Sequence, residues 1–469
     1  MTSAPGLAPT VDVVHETSVG RVGPGADLPD LRVGLGEPLR VALLVGRAQP
    51  DLAAARAIAL AACVDPVLTL RGDARVTLVE RATALREARP DAVLFIGSAQ
   101  DADRMTDLAE ALRLGCASRR PAPLVLVAAD ERMRSRLDPA LAGLTLETVP
   151  EAGSTQARDA IVSRLRGMRR SHGELVLRDE AIESAARALA AATGRSTLVV
   201  DASGQTSSLA LATAGAPTIG LHAHVGLGVS ADRVVARAGI ERVRRWMPRA
   251  IDGPALLDRI FNRARWPDAV AANPTTLALE LALARESLAH VLAEAERAGV
   301  ATAPLRAAQH IVCTGDLARF PRAQQTVLAA VDALAPESMH VVLRERPDAL
   351  VAAGAIASRG GSEVLSAVEP LAMIAAMWPR RSASVTVIDA SGTIEERVAR
   401  GAFFLVPTRG AVELRIAPSA ERPSASGLAL GVVIDARGRP LALPPRDAER
   451  IPALARWYTA LDVLPSEPA

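Results

Sequence analysis

The chain has 469 residues, 49% of them apolar, and its 54 basic side chains against 52 acidic ones leave a formal net charge of +2. That composition excludes whole-chain disorder, and the length suffices for two to four domains with cores of their own. No lysine occurs, so every cation is arginine, which excludes a P-loop lysine, a Schiff-base lysine and a kinase strand lysine. The near balance of charge and an aromatic content of 2% argue against nucleic-acid binding, which needs clustered basic residues or stacking rings.

Residues 1–38 lack a basic start followed by an apolar segment and read as a Pro/Gly-rich flexible leader. From Leu39 the pattern becomes regular. LRVALLV (39–45), PVLTL (66–70), DAVLFIG (91–97), PLVLVAA (123–129) and LTLETV (144–149) alternate with Ala-rich helical stretches. Short apolar runs alternating with helices predict a parallel sheet covered on both faces, here over 39–172. Gly97 closes one such run, at the strand end where open α/β sheets bind ligands, though plain turn chemistry also accounts for it.

A second α/β unit spans 173–370. A helix over 174–192 leads into STLVVDASGQTSSLALAT (196–213), which reads as strand, tight turn, strand. Helices follow over 230–246, 254–265 and 274–299, then the strand HIVCTG (310–315), a helix over 321–334, the strand MHVVLRE (339–345) and the helical DALVAAGAIAS (348–358). Residues 371–469 hold short strand-like pieces and read as a small β-rich appendage. The echo among VVDASG (199–204), VIDASG (387–392) and VIDARG (433–438) reads as turn chemistry, since Asp bonds locally and Gly takes positive φ.

The turn after Val200 is the richest in chemistry. A carboxylate at a strand end, Asp201, precedes Ser203, Gly204, Gln205 and Thr206, and such a turn can present N–H groups to phosphate while Asp201 holds Mg²⁺ or orients water. The same residues also read as a hairpin whose hydroxyls satisfy their own backbone. A second strand ends in Thr314 and Gly315 before a helix, where a ribose or base can approach. Cys313 within it reads as a core residue. His222 and His224 alternate on one strand face and suggest two metal ligands without a third. Asp232 fits the first turn of a helix, and Arg242, Arg244 and Arg245 form a solvated face or meet an anion. The three cysteines, Cys63, Cys116 and Cys313, are spaced too widely for a metal knuckle and fit a reducing compartment, so the cytoplasm is expected. The uncharged stretch 202–231 is too rich in Gly, Ser, Thr, Pro and His to span a membrane.

The order VVDASGQTSS, GLHAHVGLGVSADRVVARAGIERVRRWMP, ALELALARESLAHVL, HIVCTGDLARF, DALVAAGAIA resembles the glutamate mutase L family, of the actin/Hsp70-like ATPase superfamily. The likeness covers about residues 40–360. It implies a two-lobed actin/Hsp70-like, ribonuclease H-like architecture and an ATP-dependent, chaperone-type reactivating factor for a coenzyme B12-dependent mutase. On that resemblance Asp201 is the catalytic and metal-holding residue. Ser203, Gly204, Gln205 and Thr206 contact the phosphates of ATP, Mg is the metal, and Thr314 and Gly315 line the adenosine side. The departures are Ser203 for a glycine, Ser208 for a closing Asp, Asp316 for a second glycine, and no first phosphate loop before Leu39. They keep open an alternative reading, a non-hydrolysing scaffold or regulatory subunit of the same fold.

Overall fold

The computed structural model describes residues 11–14, 19–22, 31–47, 49–170, 175–271, 273–360, 364–377, 382–417 and 422–464. Among the described residues the architecture is mixed α/β, with four sheets and with helices packed on both faces of the five-stranded and the eight-stranded one.

The first sheet is built by β1 (Val11–Val14), β2 (Val19–Val22), β3 (Leu31–Gly34) and, from much later in the chain, the return strand Leu175–Leu177, in the order β2-β1-β3-return strand. β1 runs antiparallel to β2 and parallel to β3, which runs parallel to the return strand. Part of the stretch expected to be a flexible leader is therefore sheet. Its strands are four residues each, too short for periodicity to stand out among the Gly and Pro around them.

Between β3 and the return strand the chain makes a five-stranded parallel sheet from β4 (Arg40–Val45), β5 (Asp65–Arg71), β6 (Ala92–Ile96), β7 (Leu124–Ala128) and β8 (Thr145–Val149), in the order β5-β4-β6-β7-β8. Alternation along β4 sorts the side chains between two helical layers. Val41, Leu43 and Val45 meet α1 (Asp51–Ala61) and the helix Thr155–Arg169, while Ala42 and Leu44 meet α2 (Leu78–Ala88), α3 (Ala102–Cys116) and α4 (Glu131–Leu137). Thr77 and Glu80 start α2 with a capping box. The Thr155–Arg169 helix is α5; the return strand is β9, and it runs directly into α6 (Arg178–Thr193).

The central sheet has eight strands. β10 (Thr197–Ala202), β11 (Ser207–Ala212) and β12 (Ile219–Ala223) form an antiparallel meander; β13 (His310–Gly315) lies parallel to β10 and β14 (Met339–Glu345) parallel to β13. Between β12 and β13 run α7 (Ala231–Ala238), α8 (Ile240–Arg244), α9 (Gly253–Arg265), α10 (Pro274–Arg297) and α11 (Ala303–Arg306). The expected single helix over 230–246 is two, because Gly239 takes φ +88° and turns the chain. α10 starts cleanly, with the Asn273 side chain accepting the Thr276 N–H and Pro274 in the first turn. α12 (Ala323–Leu334) joins α10 on one face of the sheet, and α13 (Ala349–Ala357) joins α6 on the other.

The strand-rich end of the chain is not an appendage alone. β15 (Val368–Ala376) pairs with β14, and the sheet continues through β21 (Gly431–Asp435) to β18 (Phe403–Val406). Only β16 (Ser382–Asp389), β17 (Gly392–Ala399), β19 (Ala411–Ile416) and β20 (Ser424–Ser426) form a separate antiparallel sheet, packed on β15 and β21 through Met373, Val385, Val387, Leu414 and Val432. Sequence periodicity marks strands but not their distant partners. The final helix, α14 (Asp447–Ala460), returns to the α10 side, where Tyr458 accepts from Arg285 at 2.7 Å and donates to the Trp246 carbonyl at 3.1 Å.

Candidate functional site

The central sheet brings Asp201 and Thr314–Gly315 side by side. β10 and β13 pair in parallel, with Asp201 opposite Thr314 and Ala202 opposite Gly315, so both candidate segments emerge at the carboxyl ends of adjacent strands. On β10, Leu198, Val200 and Ala202 face the α10 layer and Val199 faces α6 and α13, and alternation sends Asp201 to the α6 side with Val199. That direction decides its partner. Arg178, the first residue of α6, donates from Nη2 to Asp201 Oδ1 at 2.7 Å and from Nε to Oδ2 at 3.4 Å. The Asp201 side chain has 0% exposure and that of Arg178 10%. Burial works against the Arg178 charge, but the Asp201 carboxylate, aided by Glu345, more than offsets it and holds the guanidinium protonated above its ordinary range.

Around the pair lie two more carboxyl groups. Glu345, at the end of β14, accepts the Gly315 N–H at 2.8 Å through Oε1, while its buried Oε2 has no hydrogen-bond partner. Burial pushes Glu345 up to about 7, against the pull of Arg178 and the Gly315 N–H. Burial also raises Asp316, opposed by Arg319 and Arg263. Gly315 itself takes φ +69°, and a Cβ there would lie 2.5 Å from Asp201 Oδ1, so no other residue fits this crossing without displacing the carboxylate.

The turn is satisfied from within and from above. Ser203 N–H and Oγ both donate to the Thr206 carbonyl, at 2.9 and 3.1 Å, and Ser203 Oγ also meets Thr206 Oγ1 at 3.2 Å. The segment 226–230 lies across it: Leu227 N–H bonds the Ser203 carbonyl, and Gly228 and Ser230 N–H both bond the Gly204 carbonyl. A Cβ at Gly226 would stand 2.4 Å from the Ser203 oxygen, which explains the glycine in VGLGVS. Ser203, Gly204 and Gln205 are partly exposed; Asp201, Thr206 and Thr314 are buried.

These contacts test the fit of Mg. A divalent cation at Asp201 needs open carboxylate oxygens or room for bridging water, and here both oxygens face one guanidinium in a fully buried position. The residues as arranged do not fit the ion. No group of three or more His, Cys, Asp or Glu side chains suited to a metal occurs among the described residues.

The other sequence candidates are engaged locally. His222 Nε2 bonds Glu183 Oε1 at 2.9 Å and His224 Nε2 bonds the Cys63 carbonyl at 2.9 Å. Arg242 and Arg245 both reach Glu286, which also accepts from Trp246 Nε1 at 2.7 Å, and Arg244 pairs with Glu241. Cys313 is buried, and that burial pushes its thiol up to about 12. Asp389 serves its own turn by accepting from Ser391 N–H, and Asp435 takes Arg437 and Arg439, so the three Asp-x-x-Gly echoes have three different environments. Sequence reasoning missed Arg178 and Glu345. Glu345 stands at a strand end just as Asp201 does, a signal that was there to be read; nothing local ties Arg178 to a carboxylate 23 residues on.

No helix among the described residues is long and apolar enough to cross a membrane. No protein-family model matches the chain. No curated protein matches it either. Among solved structures, acetone carboxylase in a nucleotide-free form, described with the mechanism of ATP-dependent acetone carboxylation, aligns at 11% identity and a TM-score of 0.21, covering 76% of this chain and 69% of its own. A likeness that low carries no argument about function.

Proposed function

We propose that the protein is a non-hydrolysing scaffold or regulatory subunit built on an actin/Hsp70-like fold. Two features support the fold assignment. One is the order β12-β11-β10-β13-β14, an antiparallel meander continued by two parallel strands; the other is the resemblance of the ordered motifs to the glutamate mutase L family. Units at 39–172 and from 173 onward, the latter extended past residue 370 by β15, β21 and β18, belong to the same proposal, as does a coenzyme B12-dependent mutase as the partner to try first.

The observation that carries the non-hydrolysing reading is the Arg178–Asp201 ion pair. The Arg178 guanidinium occupies the side of Asp201 that a metal or an attacking water would need, and the Asp201 side chain has no exposure. Desolvated pairs of this kind do not open cheaply, because separating them leaves a buried charge uncompensated. The test is calorimetry of the purified chain with Mg-ATP alongside a phosphate-release assay. No binding heat and no release are expected. Tight Mg-ATP binding, with turnover abolished by Asp201→Ala, overturns the proposal.

The ATP-dependent reactivating factor is the second reading, favoured by one observation: the register sets Asp201 and Gly315 on adjacent strands at one end of the sheet. It requires Arg178 to leave Asp201 when nucleotide enters. A pull-down of a coenzyme B12-dependent mutase that needs ATP, and survives Arg178→Gly but not Asp201→Ala, is its signature.

A further inference from the structure

The five-stranded sheet carries a cavity of its own, independent of the Asp201 turn. Its strand order reverses at β4, which has β5 on one side and β6 on the other. Open α/β sheets bind ligands outside the carboxyl ends of their strands at such a reversal. A cavity of about 550 Å³ opens there, floored by Ile96 and Gly97 at the end of β6 and Ala128 at the end of β7, and walled by the first turn of α1. That size falls within the range of roughly 300–1,000 Å³ usual for small-molecule sites. Ala298 and Gly299, at the C-terminal end of α10, form the facing wall.

The lining sets the class of ligand. None of the described lining residues is aromatic, so a flavin or nucleobase finds no ring to stack on. The charged lining residues are Arg47, Arg158, Asp51, Asp101 and Glu151. Arg47 is spent on Asp101 at 2.7 Å and on Gln100 at 3.2 Å, and Arg158 Nε donates to the Ala152 carbonyl at 2.9 Å. Asp51 accepts the Arg47 backbone N–H at 3.2 Å, and among the described residues neither Asp51 nor Glu151 has a guanidinium partner. Burial raises the Asp51 carboxyl, helped by the nearby charges of Asp101 and Glu151 and opposed by the Arg47 N–H and guanidinium. The C-terminal end of α10 adds the negative pole of a helix to the same space. Left without an ion-pair partner around the cavity, among the described residues, are two carboxylates, Asp51 and Glu151, against one guanidinium, Arg158, so the excess is a single negative charge. Since no metal-holding group occurs among the described residues, a bare ion is the poorer match.

We infer that this cavity binds a small aliphatic amine, its ammonium group held between Asp51 and Glu151. An amino acid can in addition set its carboxylate toward Arg158, so simple amines and amino acids are separate arms of one test. Calorimetry on the full chain at neutral pH uses putrescine, spermidine and ethanolamine in one arm and ornithine and alanine in the other. At least one is expected to bind saturably, about tenfold or more weakly in Asp51→Asn and in Glu151→Gln. Gly153→Trp is expected to block binding while keeping the fold, because a Cβ at Gly153 meets open space. Failure of every amine to bind, affinity unchanged in all three variants, or displacement of the bound amine by flavin mononucleotide overturns the inference.

Discussion

Arg178 and Asp201 meet at 2.7 Å although one opens a helix and the other closes a strand, and the carboxylate has no contact with solvent. Asp201, expected to hold Mg²⁺ or orient water, is aimed by strand alternation at the first residue of α6. Arg178→Ala is expected to cost about 3–5 kcal/mol, because it strands a buried charge. The double variant Arg178→Met with Asp201→Leu is expected to recover most of that loss. Urea unfolding of the two singles and the double, read as a cycle, checks it; additive losses would mean the two side chains do not depend on each other.

Glu345 gives the fold a pH dependence of unusual sign. Its carboxyl is held up to about 7 in the folded chain, against an ordinary 4.5, so the folded state keeps a proton that the unfolded state has released. The contribution of Glu345 to stability therefore falls as pH rises from about 4.5 to about 7, by on the order of 3 kcal/mol, and is flat beyond. Glu345→Gln retains an acceptor for the Gly315 N–H and carries no charge. It is expected to match the wild type near pH 4 and exceed it at pH 8 in denaturant midpoint.

The three cysteines should be silent in the native chain. All are buried; burial pushes Cys63 and Cys313 up to about 12 and raises Cys116 as well. A thiol reagent at pH 8 is expected to modify none of them until denaturant is added, when all three react. Mass spectrometry counts the adducts, and a native adduct on Cys313 would show that the end of β13 opens.

Arg437 ties the end of the chain to the α12 layer. Its guanidinium lies between Asp332 and Asp435, each at 2.8 Å, and over the rings of Phe403 and Trp457. Those carboxylates, acting against the cost of burial, raise the Arg437 pKa, while Arg437 and Arg439 hold Asp435 down to about 2. Arg437→Met is expected to cost about 1.5–3 kcal/mol, because it removes the shared cation while Asp332 keeps Arg285 at 2.9 Å and Asp435 keeps Arg439 at 2.8 Å. Thermal unfolding checks it, and a loss below about 1 kcal/mol would show that Arg439 suffices.

Much of this fold can be read along the chain. The apolar runs at 41–45, 92–96 and 124–128 mark buried parallel strands because both faces are covered, and Asn273-Pro274 announces the start of α10. What escapes is anything set by distant pairing. Four-residue strands such as Val11–Val14 carry too little periodicity, and β15, β21 and β18 enter the central sheet through partners that no local pattern names. The candidate site divides the same way. Asp201 and Gly315 stand out by residue type and position, whereas Arg178 and Glu345 become visible only when helix and sheet are set against each other.

Consecutive residues at the start of α6 reach in two directions. Arg178 grips Asp201 in the central sheet, while Asp179 is gripped by Arg169 at 3.0 Å and Arg166 at 3.3 Å, both on α5 of the five-stranded unit. One helical turn thus works as a rivet through two plates. The start of α6 therefore fastens the central sheet to α5 at neighbouring residues, alongside the Arg233–Asp65 ion pair and the His224–Cys63 hydrogen bond that join the same two units.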